Sequence, residues 1–197
     1  MNLGSIKYLI AGVDEVGKGS LFGPVFAGAV ILSKENELKL LSKGLKDSKK
    51  LNPQQRKTLI PFIKENSIAW ALGQASAREI DNIGIRKATE KAMMRALGKF
   101  STPPDLILVD GILRLRCWEG KQHTQVRGES HYPSIAAASV LAKEARDELI
   151  KRLASRYPLF ELEKNKGYGT ETHRKNLIKA GPTRLHRKSF LSKLAIN

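Results

Sequence analysis

Two short apolar segments that each end in acidic residues place the strongest constraint on how this chain folds. Residues 7–13 (KYLIAGV) lead directly into Asp14 and Glu15, and residues 106–109 (LILV) lead into Asp110. Segments of this length that are rich in branched apolar residues predict buried β-strands. Because open α/β sheets carry their sites at the carboxyl ends of strands, both segments place carboxylates where a functional site is expected.

The remaining pattern predicts an α/β fold with a mixed β-sheet flanked by helices. Residues 24–32 form a second predicted strand, joined to the first through a glycine-rich turn, so we expect the chain to open with a β-hairpin. A third strand is predicted over residues 67–75, and helices are predicted over residues 53–66, 84–98, 133–156 and 170–180. We expect one main domain over residues 1–160 and a basic C-terminal helical segment over residues 161–197 that packs on it as an appendage.

The charge of the chain indicates a polyanionic partner. Lys and Arg number 35 against 19 Asp and Glu, which gives a formal net charge of +16. Nucleic acid fits this excess because neutralised phosphates release counterions, although a solubilising surface explains it as well. The single cysteine, Cys117, excludes an internal disulfide framework and suits a cytoplasmic protein. No apolar run is long enough to span a membrane, and the N-terminus lacks the features of a signal peptide.

The segment GVDEVGKG at residues 12–19 is within one residue of the phosphate-loop pattern, but its chemistry argues against that function. Gly19 stands where a hydroxyl should bind magnesium, and Asp14 and Glu15 would repel a triphosphate. A second apolar run follows the segment, where a phosphate loop would open a helix. The histidines show no zinc-site spacing and no serine lies in a G-x-S-x-G motif, so zinc and serine-nucleophile chemistry are poorly supported.

The acidic residues themselves are candidate metal ligands. Carboxylates brought together at strand ends repel one another unless a divalent cation lies between them, and oxygen ligands favour Mg²⁺ or Mn²⁺ over zinc. Glu129, just before a predicted helix, is a further candidate, although a loop acid near a helix N-terminus or solvated acids at strand ends are alternatives. Together with nearby lysines, such acids suit two-metal phosphodiester hydrolysis. The lysines closest in sequence are Lys18, Lys46, Lys49, Lys50 and Lys143.

Five ordered segments of the chain resemble the ribonuclease HII family. They are GVDEVGKGSLFGPVFAGAVIL, GLKDSKKL, the VDG at residues 109–111, YPSIAAASVLAKEARD and KGYGTETHRKNLIKAGPTRLHRKSF. The resemblance implies a ribonuclease-H-like catalytic domain over residues 1–160 with a cluster of four carboxylates that binds Mg²⁺ or Mn²⁺. By this resemblance the four are Asp14, Glu15, Asp110 and Glu129.

The family resemblance also implies a reaction and a set of substrate contacts. The expected enzyme is a monomer that cleaves the RNA strand of RNA–DNA hybrids and incises DNA duplexes 5′ of embedded ribonucleotides, leaving 3′-hydroxyl and 5′-phosphate ends. The backbone of Gly17, Lys18 and Gly19 would read the ribose 2′-hydroxyl. Tyr168 would stack on the sugar of the next deoxynucleotide, the alternative being a turn aromatic that covers the core. Lys49 and Lys143 would hold phosphates near the scissile bond, and the basic segment over residues 161–197 would contact the substrate.

Two departures from the family pattern leave alternatives open. Bacterial members usually carry Arg where this chain has Lys18. The lysine cannot make the planar contact with several donors that an arginine makes. The fourth acid of the family is usually Asp, but this chain has Glu129. A Glu at this position resembles the pattern of the sister family, ribonuclease HIII, which acts mainly on longer hybrids. Against that assignment, the chain leaves no room for the sister family's N-terminal substrate-binding domain and keeps Tyr168. A basic nucleic-acid-binding protein without catalytic chemistry is a further alternative.

Overall fold

A computed structural model describes residues 8–191, which fold around a mixed five-stranded sheet of order β3–β2–β1–β4–β5. β1 pairs antiparallel with β2, and β2 with β3, whereas β4 and β5 run parallel to β1. The predicted α/β class and mixed sheet are therefore confirmed. The strands are β1 (Ile10–Val16), β2 (Val25–Leu32), β3 (Ser67–Ala75), β4 (Leu106–Asp110) and β5 (Lys121–Gln125).

Helices cover both faces of the sheet. They are α1 (Lys34–Ser42), α2 (Pro53–Asn66), α3 (Ala77–Leu97), α4 (Pro133–Ala154), α5 (Leu162–Asn165), α6 (Glu171–Ala180) and α7 (Lys188–Leu191). Short 3₁₀ turns occur at Ser48–Lys50, Gly128–Ser130 and Pro158–Phe160. None of the helices in residues 8–191 combines the length and the apolar character needed to cross a membrane.

Alternate residues of the central strands build two separate cores. Val13 and Val109 belong to the core beneath α3, whereas Val30 packs with α1, α2 and α4 on the opposite face. Because successive side chains of a strand point to opposite faces, residues next to Val13 and Val109 face α4. This alternation decides which face each acidic residue occupies.

Small residues let α4 lie very close to the sheet. A Cβ atom added to Gly12 would collide with the backbone of Ser134, and one added to Gly28 would collide with the backbone of Ala138. The alanines of α4 that follow Ile135 are buried against the same face. The close approach brings α4 to the acidic ends of β1 and β4.

Several elements differ from the sequence-based prediction. β5 was not predicted because its sequence, KQHTQ, lacks apolar alternation, and α1 was not predicted either. The helix predicted over residues 84–98 begins earlier, at Ala77, behind a capping box formed by Ser76 and Glu79. Gly84 has φ of 79° inside α3 and marks a break in that helix, not its start.

The first strand also differs from its prediction at both ends. The strand predicted over residues 7–13 continues to Val16, because pairing with β2 extends as far as Phe26. Asp14 and Glu15 therefore lie within β1 and not beyond it. Lys7 at the start of the predicted strand lies outside the described residues, as do residues 192–197 of the predicted C-terminal segment.

The C-terminal segment shares a core with the opening hairpin loop. Phe22 in that loop packs in one cluster with Ile150 of α4 and with apolar residues of the C-terminal segment. The Arg187 amide donates to the carbonyl of Leu21 at 2.9 Å. This packing joins the segment to the loop between β1 and β2; the boundary between the two predicted regions stays a prediction. The members of the cluster from this segment are Leu162, Leu177 and Leu191, and Phe160 lies directly before it.

Candidate active site

Three of the four predicted acids converge at one end of the sheet. Val13 pairs with Val109 across β1 and β4, so the next residues, Asp14 and Asp110, lie side by side on the α4 face. Glu129 joins them from the 3₁₀ turn that precedes α4. One carboxylate oxygen from each of these residues lies within 4.8 Å of the others.

Burial makes this cluster electrostatically costly without a counter-charge. Asp14 is 3% exposed and Glu129 is 6% exposed. Desolvation raises the pKa of Asp14 well above its ordinary value, and the neighbouring carboxylates of Glu15, Glu129 and Asp110 raise it further. A buried set of oxygen donors that repel one another fits a hard divalent cation such as Mg²⁺ or Mn²⁺.

Main-chain amides fix the orientation of two of the acids. The Gly128 N–H donates to Oδ1 of Asp110 at 2.7 Å, and the Ser48 N–H donates to Oε2 of Glu129 at 2.9 Å. Burial raises the pKa of Asp110, although the Gly128 bond opposes the rise. Arg127, with φ of 55°, turns the chain so that the Gly128 amide meets Asp110.

Two buried serines that sequence reasoning missed connect Glu129 to Asp14. The hydroxyls of Ser48 and Ser139 lie 3.0 Å apart, and Ser139 also bonds the Asp14 carboxylate and opposes the rise of its pKa. Both serines lie inside segments that resemble the ribonuclease HII family, and this was the one signal that pointed to them.

Glu15 lies beside the cluster but outside the group of three. It follows Asp14 in β1, so the alternation of the strand turns it towards the α3 face. Its carboxylate pairs with Nζ of Lys18 at 3.5 Å. Burial raises the pKa of Glu15, Lys18 opposes this, and Asp110 adds to it, which places Glu15 within electrostatic reach of the site.

The two predicted phosphate-binding lysines occupy different surroundings. Lys49 Nζ lies 3.2 Å from Oε1 of Glu129. Desolvation opposes its charge, but Glu129, Asp14 and Asp47 outweigh that effect and raise the pKa of Lys49. Lys143 on α4 pairs with Asp147 at 3.3 Å. The structure thus brings Lys49 to the carboxylates, whereas Lys143 is engaged one helical turn along α4.

The Gly-Lys-Gly loop has one packed and one open side. Gly17 has φ of 83°, and a Cβ atom there would collide with the buried side chain of Arg146. At Gly19 an added Cβ atom would meet nothing within 4 Å. The open side of this loop is therefore free to receive a ligand backbone or sugar.

Tyr168 lies next to this loop. The amide of Leu21 donates to the carbonyl of Gly167 at 2.9 Å, which ties the two segments together. The guanidinium of Arg146 lies 5.4 Å from the Tyr168 ring centroid, and the residue is 37% exposed. The ring is thus held from below by a cation and remains accessible to a ligand.

Comparisons with known proteins agree with this arrangement. The ribonuclease HII family model matches residues 11–193. A ribonuclease HII of Prochlorococcus marinus (strain NATL1A) is 77% identical over 192 residues, which cover 98% of each chain. The ribonuclease H2 structure from Pyrococcus horikoshii OT3 has a TM-score of 0.79 at 24% identity, covering 94% of this chain and 96% of that one. The structure of Bst-RNase HIII in complex with Mn²⁺ has a TM-score of 0.71 at 20% identity, covering 93% of this chain and 64% of that one.

The two structural likenesses show that the sheet and its helices form a ribonuclease-H-like fold. The chain therefore belongs to the class of ribonuclease-H-like α/β proteins and carries a buried acidic cluster at the end of its sheet. The family match and the identity to curated relatives carry this further: the chain belongs to the ribonuclease HII family. It is an endoribonuclease that acts on the RNA strand of RNA–DNA hybrids.

Proposed function

We propose that this ribonuclease also incises DNA duplexes on the 5′ side of embedded ribonucleotides, leaving 3′-hydroxyl and 5′-phosphate ends. One observation carries the proposal: the Gly-Lys-Gly loop and Tyr168 lie together on Arg146, next to the acidic end of β1. A loop that contacts one ribose and an aromatic ring that stacks on the next sugar, both at the same edge of the sheet, suit the recognition of a junction between RNA and DNA.

We infer that Asp14, Asp110 and Glu129 hold Mg²⁺ or Mn²⁺, with Glu15 completing the set from the opposite face of β1. When bound at these residues, such ions would supply an activated water nucleophile and would stabilise the leaving oxygen. The oxygen-rich, buried donor set supports both ions equally. That Bst-RNase HIII was solved with Mn²⁺ supports manganese as one of them.

The other residues of the site bind and orient the substrate. The backbone of Gly17, Lys18 and Gly19 reads the 2′-hydroxyl, which distinguishes RNA from DNA at that position. Tyr168 stacks on the sugar of the following deoxynucleotide. Lys49 and Lys143 hold phosphates near the scissile bond as point charges, and the basic segment over residues 161–197 contacts the substrate.

An enzyme specialised for longer hybrids is the second candidate. Glu129 favours it, because both of its oxygens are engaged, one by the Ser48 amide and one by Lys49. A carboxylate held in this way and longer by one methylene than Asp changes the position of a ligand by about an ångström, which is enough to alter rates strongly.

The deciding experiment compares three end-labelled duplexes: one with a single ribonucleotide, one with a run of ribonucleotides, and one of DNA alone. Each is incubated with the protein in Mg²⁺ and then in Mn²⁺, with Asp110→Asn as the inactive control. We expect one cut immediately 5′ of the single ribonucleotide and no cut in DNA. Cleavage of the hybrid alone would favour the second candidate.

We further propose that the protein acts as a monomer in the cytoplasm. The charge of +16 and the single cysteine support this location, since a reducing compartment with accessible nucleic acid suits both. Light scattering at several protein concentrations tests the oligomeric state: a constant mass equal to one chain supports the proposal, and a mass that rises with concentration contradicts it.

A further inference from the structure

Two arginines lie completely buried beneath the Gly-Lys-Gly loop. Arg146 of α4 and Arg187 of the C-terminal segment are both 0% exposed. Within residues 8–191 neither forms an ion pair with a carboxylate, and their bonds go to carbonyls and to one hydroxyl. Burying a charge without a counter-charge costs free energy, which suggests that these two arginines have a specific role.

Arg187 joins the two ends of the loop that follows β1. Its Nε donates to the carbonyl of Gly23 at 3.0 Å, and its Nη1 donates to the carbonyl of Lys18 at 2.9 Å. The planar guanidinium fixes the angle between these two bonds, which a lysine ammonium cannot do. The loop is therefore held at a defined orientation from inside the protein.

The bond to the Lys18 carbonyl sets the direction of the next amide. Because the peptide unit is planar and trans, its C=O and N–H point in opposite directions. When Arg187 holds the Lys18 carbonyl inward, the Gly19 N–H faces outward. The Gly19 side of the loop is open, and no other residue of the described range 8–191 accepts a hydrogen bond from this amide. A charged donor on the carbonyl also polarises the peptide and strengthens its N–H as a donor.

We propose that Arg187 is a positioning residue for ribose recognition, which holds the Lys18–Gly19 peptide so that the Gly19 N–H donates to the 2′-hydroxyl. This inference rests on the proposed reading of the ribose by the loop. Arg146 supports the same unit from the other side, where it packs against Gly17 and beneath the ring of Tyr168. Arg187 itself touches no substrate atom in this account.

Binding of two fluorescent duplexes in the Asp110→Asn background with Mg²⁺ tests the inference. One duplex contains a single ribonucleotide, and the other has the same sequence in DNA alone. Arg187→Met removes both donors, whereas Arg187→Lys keeps the cation but not the planar pair of donors. Ile63→Ala, at a fully buried site on α2, serves as a control for general destabilisation. Thermal unfolding of each variant identifies which of them remain folded.

We expect the parent to bind the ribonucleotide duplex more tightly, and both Arg187 variants to lose about tenfold of that preference. Affinity for the DNA duplex, which phosphate contacts dominate, should change by less than about threefold. Ile63→Ala should keep the preference.

Three outcomes overturn the inference. The first is an unchanged preference of Arg187→Met for the ribonucleotide duplex over the DNA duplex, which would overturn the inference directly. Full retention in Arg187→Lys would show that charge and not orientation matters, and this variant decides the question if Arg187→Met does not fold. A parent without any preference would overturn the proposed reading of the ribose as well, which separates the two failures.

Discussion

Two carboxylates of the candidate site receive hydrogen bonds from residues that are distant in the sequence. Asp110 accepts from the Gly128 amide, and Glu129 accepts from the Ser48 amide. Bonds of this kind fix the direction of a carboxylate. At the scale of single residues, the site is a set of carboxylates held in place by two neutral amides and, at Glu129, also by the Lys49 ammonium.

Replacing Tyr168 with alanine should affect the two substrates unequally. Without the ring, the enzyme would lose the proposed contact to the sugar of the deoxynucleotide beyond the ribose; aromatic stacking on a base, a related contact, contributes about 1–3 kcal/mol. We expect kcat/KM to fall about tenfold or more on the single-ribonucleotide duplex and by a smaller factor on a hybrid. Tyr168→Phe keeps the ring and is the matched control. Equal losses on both substrates would show that Tyr168 serves packing.

The sequence predicts which acids form the site but not what holds them. Asp14 and Asp110 could be predicted because acids that end apolar strands stand out in a basic chain. Ser48 and Arg187 could not, because their partners lie 81 and 169 residues away in sequence. Tertiary hydrogen bonds of this range leave no periodic or local pattern in the sequence.

At the scale of elements, the contact between α4 and the sheet positions the site. α4 carries Ser139 to Asp14, and the turn before α4 carries Glu129 to the same place. The sequence signals this contact in part, because the run AAAS at residues 136–139 gives α4 a face of small side chains, which allows a close neighbour. β5 was not predictable, because its polar sequence acquires strand structure only by pairing with β4.

Adding one methyl group at Gly12 should separate α4 from the sheet. The new Cβ would overlap the backbone of Ser134, and overpacking of this kind costs about 1–3 kcal/mol. We expect Gly12→Ala to lower the free energy of unfolding by that amount in urea denaturation and to reduce cleavage. Gly19→Ala, where the methyl group meets open space, should leave the free energy of unfolding nearly unchanged. A Gly12→Ala protein as stable as wild type would contradict the close approach.

A buried pair of histidines joins α6 to the segment that follows it. Nε2 of His173 and Nε2 of His186 lie 3.1 Å apart, and the Thr183 amide donates to Nδ1 of His186 at 3.0 Å. His186 must therefore donate through Nε2, so that His173 accepts there and donates through Nδ1 to the carbonyl of Tyr168 at 2.9 Å. The neutral form of both rings is built into this chain of bonds.

Acid should weaken the fold through His186. Burial, with the charge of His173 adding to it, lowers the pKa of His186 to about 4 from an ordinary 6.5. Between these values the unfolded chain binds a proton that the folded chain does not, so stability is complete above pH 6.5 and falls as the pH drops towards 4. The loss is at most about 1.4 kcal/mol per pH unit. Urea denaturation across this range should show a shallower pH dependence for His186→Gln, and an unchanged slope would contradict this role.

For the whole molecule, the basic charge and the acidic site have opposite tasks. The net charge of +16 attracts the duplex without regard to sequence, whereas the carboxylates would repel phosphate if no cation were bound. The net positive charge therefore supplies affinity for the duplex, and the carboxylate cluster determines where a cation can bind. The composition alone predicts the attraction to nucleic acid, whereas the position of the carboxylate cluster follows only from the fold.

Salt should weaken binding and leave recognition largely intact. The affinity for any duplex should fall with a slope of about −0.9 per contacted phosphate in a plot of log K against log salt. The preference for a duplex with one ribonucleotide over DNA should change far less, because the loop is proposed to read the ribose through short hydrogen bonds, which salt screens little. Fluorescence anisotropy of both duplexes over a range of NaCl measures the two quantities. A preference that disappears in parallel with affinity would contradict a separate reading step.

Titration with Mn²⁺ tests directly whether the acids at the end of the sheet form a cation site. Binding is monitored by calorimetry or electron paramagnetic resonance. Wild type is compared with Asp110→Asn, which removes one carboxylate of the cluster, and with Glu163→Gln, which removes the same charge from the exposed surface of α5. We predict binding by wild type and Glu163→Gln with closely similar affinity, and a loss of at least about tenfold in Asp110→Asn. Equal binding by all three proteins would contradict the account.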